Sequence, residues 1–232
     1  MIVIFDVEGV LVDGEFLPDL ARLVHREEEV RDITMKGIRG EISWERGLAE
    51  RVELVKGVTH QQCVRVANSL PIMKGAVEAT EKLKKLGCIM VGVSGGFSLL
   101  TNRVKSELGL DHVFSNELVF HDGRLVGYGL LVNANKAQIL TTAFGNMFSG
   151  MKKMAVVDGA NDIDLFDLAD LRVAFNAQEI VKRRADSRVE IRDLRPVVDL
   201  ARGLIEKEAA GGPGAPARPA RTDSNPGLRA AS

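Results

Sequence analysis

The apolar pattern divides the chain into two textures. Ile2 to Phe5 is a short continuous apolar run, which predicts a buried strand. Residues 15–70 then read as helix after helix. Phe16, Leu20, Leu23 and Val24 share one helical face, and Trp44, Leu48, Val52 and Val55 share another. Thr59 and Gln62 stand at capping-box spacing before a fourth helix. No strand pattern interrupts this stretch, so it predicts a separate small helical module.

After Pro71 the texture changes to alternation. A helix is expected over about 75–86, a buried strand over Ile89–Val93, and a helix over about 97–108. Leu118–Leu131, centred on Asp122-Gly123, reads as a hairpin. A helix over about 134–145 follows, then a strand at Met154–Val157, a helix starting near Asp162, and a strand at Leu171–Phe175. Buried strands alternating with helices predict an α/β fold, a parallel sheet covered on both faces. The expected division is a core of residues 1–12 and 72–208, with the helical insert at 13–71.

The last 24 residues, Ala209 to Ser232, hold seven Ala, four Gly and four Pro, and Leu228 is their only large apolar side chain. Such a segment cannot offset its ordering entropy by burial, so 209–232 is expected to be a disordered tail. The whole chain has 232 residues, 45% apolar and 27% charged, with net charge −1. A balance this even argues against a general nucleic-acid binder. Cys63 and Cys88 form no C-x-x-C pair, which argues against a zinc module and for two buried thiols. No apolar stretch approaches a membrane span, and the N-terminus lacks the basic region of a signal peptide. A cytosolic protein, monomer or homodimer, is expected.

In open parallel sheets ligands bind beyond the carboxyl ends of the strands. After the first strand come Asp6 and Glu8; after Val91-Gly92-Val93 come Ser94, Gly95 and Gly96; after Val156-Val157 come Asp158, Asn161 and Asp162. Lys136 opens the helix between. Each feature alone has an ordinary reading as a turn, a cap or a surface lysine. Together they gather carboxylates, one hydroxyl and one lysine at a single edge. Such a set suits phosphoryl transfer with a hard cation. Mg²⁺ prefers carboxylate and carbonyl oxygens, a carboxylate can attack phosphorus, and lysine, hydroxyl and amide donors can hold phosphoryl oxygens.

Competing motifs fail on their own terms. Gly92-Val93-Ser94-Gly95-Gly96 matches G-x-S-x-G, but that hydrolase fold needs a histidine after the acid, and His25, His60, His112 and His121 all precede Asp158. No G-x-x-x-x-G-K-[ST] occurs, and the acids from Asp158 to Asp167 lack EF-hand spacing.

The ordered set Asp6-Val7-Glu8-Gly9-Val10, Ser94-Gly95-Gly96-Phe97, Lys136 and Asp158-Gly159-Ala160-Asn161-Asp162 resembles the four motifs of the haloacid-dehalogenase-type phosphohydrolases, and within them the phosphoserine phosphatase family. The resemblance spans roughly residues 1–200. It implies a Rossmann-like core with a helical cap inserted after the first strand. It also implies an Mg²⁺-dependent hydrolysis of a small phosphomonoester, O-phosphoserine, through an aspartyl-phosphate, as in serine biosynthesis. In that scheme Asp6 is the nucleophile. Asp6, Asp158 and the Glu8 carbonyl bind Mg²⁺. Ser94, Gly95, Lys136 and Asn161 hold the phosphoryl group, and Asp162 orients Lys136. The sequence departs from the family at Glu8, where Asp usually serves as acid and base; the carboxylate is kept, one methylene further out. In the cap, Glu15 and Arg51 fall where the family binds the substrate ammonium and carboxylate, with Trp44 and Ile38 as pocket walls. The alternatives are a related small-metabolite phosphatase, a transferase passing the phosphoryl group from phosphoserine to another alcohol, or a non-catalytic phosphate-binding relative.

Overall fold

The computed structural model describes residues 1–211 except 40 and 149; the side chains of 38, 146, 147 and 211 also lie outside the description. β1 (Ile2–Asp6) is buried along its whole length and pairs in parallel with β2 (Ile89–Phe97) on one side and β5 (Lys153–Val157) on the other. β3 (His112–His121) extends the sheet parallel to β2, and β4 (Arg124–Gly129) returns antiparallel to it. β6 (Leu171–Phe175) and β7 (Ser187–Val189) complete the order β4-β3-β2-β1-β5-β6-β7.

A strand buried on both faces reads as a continuous apolar run, and β1 does from Ile2 to Phe5, with the buried Asp6 at its end. Its odd residues Val3 and Phe5 enter one apolar cluster, with Met90, Met154, Val156, Val173 and Phe175. Its even residues Ile2 and Ile4 enter the other, with Val91, Val93, Ala155 and Val157. On the first face pack α5 (Ala76–Lys85), α6 (Ser98–Leu108) and α9 (Pro196–Gly211). On the second pack α7 (Lys136–Phe144), the 3₁₀ helix Ala160–Asp167 and α8 (Glu179–Arg184).

Between β1 and α5 lie four helices: α1 (Phe16–Arg22), α2 (Glu27–Ile38), α3 (Trp44–Leu54) and α4 (His60–Ser69). The Thr59–Gln62 capping box opens α4. The helical stretch is not a separate apolar unit. Phe16 and Leu20 of α1, Leu48 and Val52 of α3, and Cys63 and Val66 of α4 belong to the same cluster as Phe5 and Val3 of the sheet. Residues 57–60 also bond to β4 and the turn before it: the Gly57 N–H donates to Leu125 O at 2.8 Å and the His60 N–H to Gly123 O at 2.8 Å. Helical periodicity locates a buried face but not what buries it, so the sheet as partner is invisible in the pattern.

Other departures are local. β2 continues four residues past Val93, through the glycines. The helix expected near Asp162 is a 3₁₀ helix starting at Ala160. α9 runs through Ala209 and Ala210, three residues past the expected boundary at 208, because alanine is the best helix former. The rest of the expected tail, 212–232, lies outside the described residues.

Candidate active site

Three adjacent central strands, β2, β1 and β5, end at one edge of the sheet, and the candidate residues leave from those ends. Asp6 closes β1 and is 5% exposed. Asp158 follows β5, and Asp162 sits in the 3₁₀ helix beyond it, buried. One carboxylate oxygen from each of Asp6, Asp158 and Asp162 lies within 4.8 Å of the other two. Gly9, at φ +87°, makes this approach possible: a Cβ there would lie 2.2 Å from Asp158 Oδ2.

Lys136 is the counter-charge. Asn135 caps α7, its Oδ1 accepting from the Gln138 N–H at 2.9 Å, which fixes Lys136 as the first helical residue. The ammonium, 3% exposed, donates to Asp6 Oδ1 at 2.7 Å and pairs with Asp162. Burial works against this charge, but Asp162 and Asp6 overcome it and hold the lysine pKa above its ordinary range. The carboxylates outnumber the ammonium. Burial, then Asp6 and Asp162, push Asp158 up to about 8; burial and then Asp6 push Asp162 up to about 7. Hard oxygen donors this close, with protonation favoured for want of positive charge, are a donor set that fits Mg²⁺.

Glu8 Oε2 accepts from the Phe16 N–H at 2.7 Å, so the start of α1 orients its carboxylate. Burial, with Glu15 and Asp6 adding repulsion, pushes Glu8 up to about 7. The Ser94 Oγ accepts from the Gly96 N–H at 2.9 Å, which leaves the hydroxyl proton free to donate elsewhere. On the helical side, Arg51 Nε donates to Gly47 O at 3.1 Å. Burial lowers its pKa, while Glu8 and Glu15 oppose that shift. Trp44 lies directly over the Ser94–Gly96 turn; a Cβ on Gly95 would stand 2.7 Å from its Cζ2.

Asp6, Glu8, Glu15, Trp44, Arg51, Ser94, Gly95, Lys136, Asp158, Asn161 and Asp162 all line one cavity of about 450 Å³. Asn161 Nδ2 donates to Asp162 Oδ2 at 2.9 Å. The Ile38 side chain lies outside the described residues. Sequence reasoning missed Thr34 and Gln178, which line the same cavity. Gln178 follows β6 as the other groups follow their strands, so the same post-strand rule would have found it. Asp164 was missed too: its Oδ2 accepts from the Ala137 N–H at 2.8 Å and ties the 3₁₀ helix to the start of α7.

Residues 1–170 match the family model for haloacid dehalogenase-like hydrolases. The chain belongs to this family. A phosphoserine phosphatase of Methanocaldococcus jannaschii is 36% identical over 201 residues, 85% of this chain and 95% of that protein. One of Archaeoglobus fulgidus is 38% identical over 83% of this chain, which spans 57% of that relative. A solved structure described as a phospho-aspartyl intermediate analogue of phosphoserine phosphatase superposes with a TM-score of 0.79 at 34% identity, covering 86% of this chain and 97% of that one. As a haloacid dehalogenase-like hydrolase, the protein has the seven-stranded, mostly parallel sheet and acidic edge of an Mg²⁺-dependent phosphoric monoester hydrolase.

Proposed function

We propose that the chain is a phosphoserine phosphatase, hydrolysing O-phosphoserine to serine and phosphate through an aspartyl-phosphate on Asp6. The observation that carries this reading is one cavity with two unlike surfaces. At its floor the Lys136 ammonium sits against Asp6, with Asp158 and Asp162 alongside. On its helical wall stand Arg51 and Glu15, a cation and an anion. Phosphoserine offers a phosphoryl group to the first and a carboxylate with an ammonium to the second.

In this scheme Asp6 and Asp158, with the Glu8 carbonyl, hold Mg²⁺, which supplies charge neutralisation for the phosphoryl oxygens when bound. The Asp6 oxygen not bonded to Lys136 attacks phosphorus. A P–O bond to Asp6 forms as the ester P–O bond breaks, and Glu8 passes a proton to the departing serine oxygen. Ser94 Oγ, the Gly95 amide, Asn161 and Lys136 donate to the phosphoryl oxygens. Glu8, now ionised, takes a proton from water as that water attacks the aspartyl-phosphate, which returns Asp6 and releases phosphate. Asp162 keeps Lys136 aimed at the site. Arg51 takes the substrate carboxylate with its planar donor fork, and Glu15 takes the ammonium. The free thiols of Cys63 and Cys88 suit a reducing compartment, the cytosol.

The test is phosphate release from a panel of small phosphomonoesters with and without Mg²⁺. Mg²⁺-dependent release with the highest kcat/KM for phosphoserine is expected. An aryl phosphate matching it would remove the substrate assignment, and release from no ester would remove the activity.

A further inference from the structure

The ladder between β2 and β3 breaks beside the site. Val91, Gly92 and Val93 pair with His112, Val113 and Phe114, and pairing resumes only with Phe97 opposite Asn116. Four steps along β2 therefore match two along β3. Ser94, Gly95 and Gly96 thus face Ser115 alone, and the two surplus residues bulge from the sheet as such insertions do beside active sites.

Asn116 fills the gap left by the bulge. It is fully buried, at 0% exposure. Its Nδ2 donates to Gly95 O at 2.9 Å. Its Oδ1 accepts from the Leu131 N–H and the Val132 N–H, both at 2.8 Å. The amide has one workable orientation, because reversal would face N–H groups with N–H and a carbonyl with oxygen. One side chain thus joins two segments that no strand pairing connects. The first is the turn carrying Ser94 and Gly95. The second is the strap that reaches Lys136 four residues after Val132. Leu131 is 60% exposed while Val132 is fully buried in the second apolar cluster, so packing anchors the strap at Val132 and the amide of Asn116 ties that anchor to the turn.

We propose that Asn116 is a positioning residue: its amide fixes the Ser94–Gly95 turn relative to the strap that carries Lys136, so that hydroxyl, amide and ammonium meet one phosphoryl group together. This rests on the role given above to Ser94, Gly95 and Lys136. Asn116 touches no reacting atom itself; it acts through the two segments.

The test is Asn116→Asp, read by Tm, by kcat and KM, and by calorimetric binding of orthovanadate, which can take the five-coordinate shape of a phosphoryl group in transfer. The new carboxylate still accepts from Leu131 and Val132 but turns an oxygen toward the Gly95 carbonyl. Expected is a folded variant whose kcat and vanadate affinity each fall about 10- to 100-fold, the scale of a 1 Å misplacement, while KM moves less than about threefold because the helical wall is untouched. A folded variant with kcat and vanadate affinity within about twofold of wild type would overturn the proposal. A second measurement covers a variant that does not fold. In the wild-type protein, Mg²⁺ and vanadate should slow hydrogen exchange at the Leu131 and Val132 amides together with Gly95 and Gly96. Protection confined to the turn would also overturn it. Neither vanadate measurement needs phosphoserine turnover. A wild type that binds vanadate yet spares phosphoserine would sink the substrate assignment and leave the Asn116 result standing.

Discussion

At the floor of the cavity Lys136 is 3% exposed and held by two carboxylates, Asp6 and Asp162. On the wall Arg51, also largely buried, makes its hydrogen bond to a backbone carbonyl of its own helix, Gly47 O. The two basic side chains face the same space in opposite conditions. The floor's cation is already satisfied, because an ammonium taken out of water needs partners at once. Among the described residues the wall's guanidinium has one hydrogen bond, to Gly47 O, which leaves most of its five donors open for the ligand proposed above. A floor so built can present the same donors to any phosphomonoester, whereas a wall so built responds to what the rest of the ester carries. The comparison separates rate from specificity, and substitutions on the two surfaces should divide accordingly.

The sharpest division comes from Asp6→Asn. It removes the charge of the oxygen proposed to attack while keeping the side chain's shape, and Asp162 still pairs with Lys136. Turnover should fall by at least about 10⁴-fold on every ester, by analogy with loss of other catalytic nucleophiles. Circular dichroism and Tm should stay close to wild type. Near-normal turnover by a folded variant would move the nucleophile away from the floor.

Arg51→Ala tests the wall. Stranding a buried substrate carboxylate costs on the order of 2–4 kcal/mol. That is roughly a 30- to 1000-fold fall in kcat/KM for phosphoserine. An aryl phosphate has no carboxylate to lose, so its kcat/KM should change far less. An equal fall on both would make Arg51 a packing element, and no fall on either would return it to the solvent.

The floor was the more readable surface from sequence, and the reason is topological. Asp6, Ser94 and Asp158 each follow a continuous apolar run, and a parallel sheet brings all such ends to one edge. The wall could be read only as helical faces: Trp44 and Arg51 were placed by resemblance, since helix periodicity gives no azimuth relative to the sheet. Asn116 was unreadable for another reason. It lies in β3, which the pattern enters only at Leu118, and its direction depends on the bulge in β2. A bulge adds residues without a distinctive composition beyond glycine, and Gly95-Gly96 read equally well as a turn after the strand.

Asp158→Ala sharpens the floor itself. It removes a carboxylate that lies beside Asp6 and makes no ion pair with Lys136 among the described residues. The Mg²⁺ concentration for half-maximal phosphate release should rise by more than about 100-fold, the top of the range for losing a residue that merely supports a ligand. An unchanged Mg²⁺ titration would place the metal elsewhere.

The smallest effect is thermal and tests whether the floor's acids are unbalanced without the ion. Asp158 is pushed up to about 8 and Asp162 to about 7. A carboxyl with a raised folded-state pKa contributes stability that is fully present below its unfolded value, about 4, and is lost as pH rises through the folded value. Without Mg²⁺, the contribution of these two groups to stability should therefore decline from about pH 4 to about pH 8, the span between their unfolded and folded values. Added Mg²⁺ must displace those protons at pH 6 but not at pH 9. A saturating ion at ~100 times its Kd stabilises by about 2.7 kcal/mol, worth roughly 5–10 °C in a chain of this size. At a fixed Mg²⁺ concentration the rise in Tm should be larger at pH 8.5 than at pH 6, by a few degrees on the order set by that limit. In Asp158→Ala the pH dependence of the Mg²⁺ shift should flatten, because the acid with the highest pKa is gone. If the wild-type shift were the same at both pH values, protons would not be competing for the floor. The reading of the floor as short of positive charge would then fail at its electrostatic root.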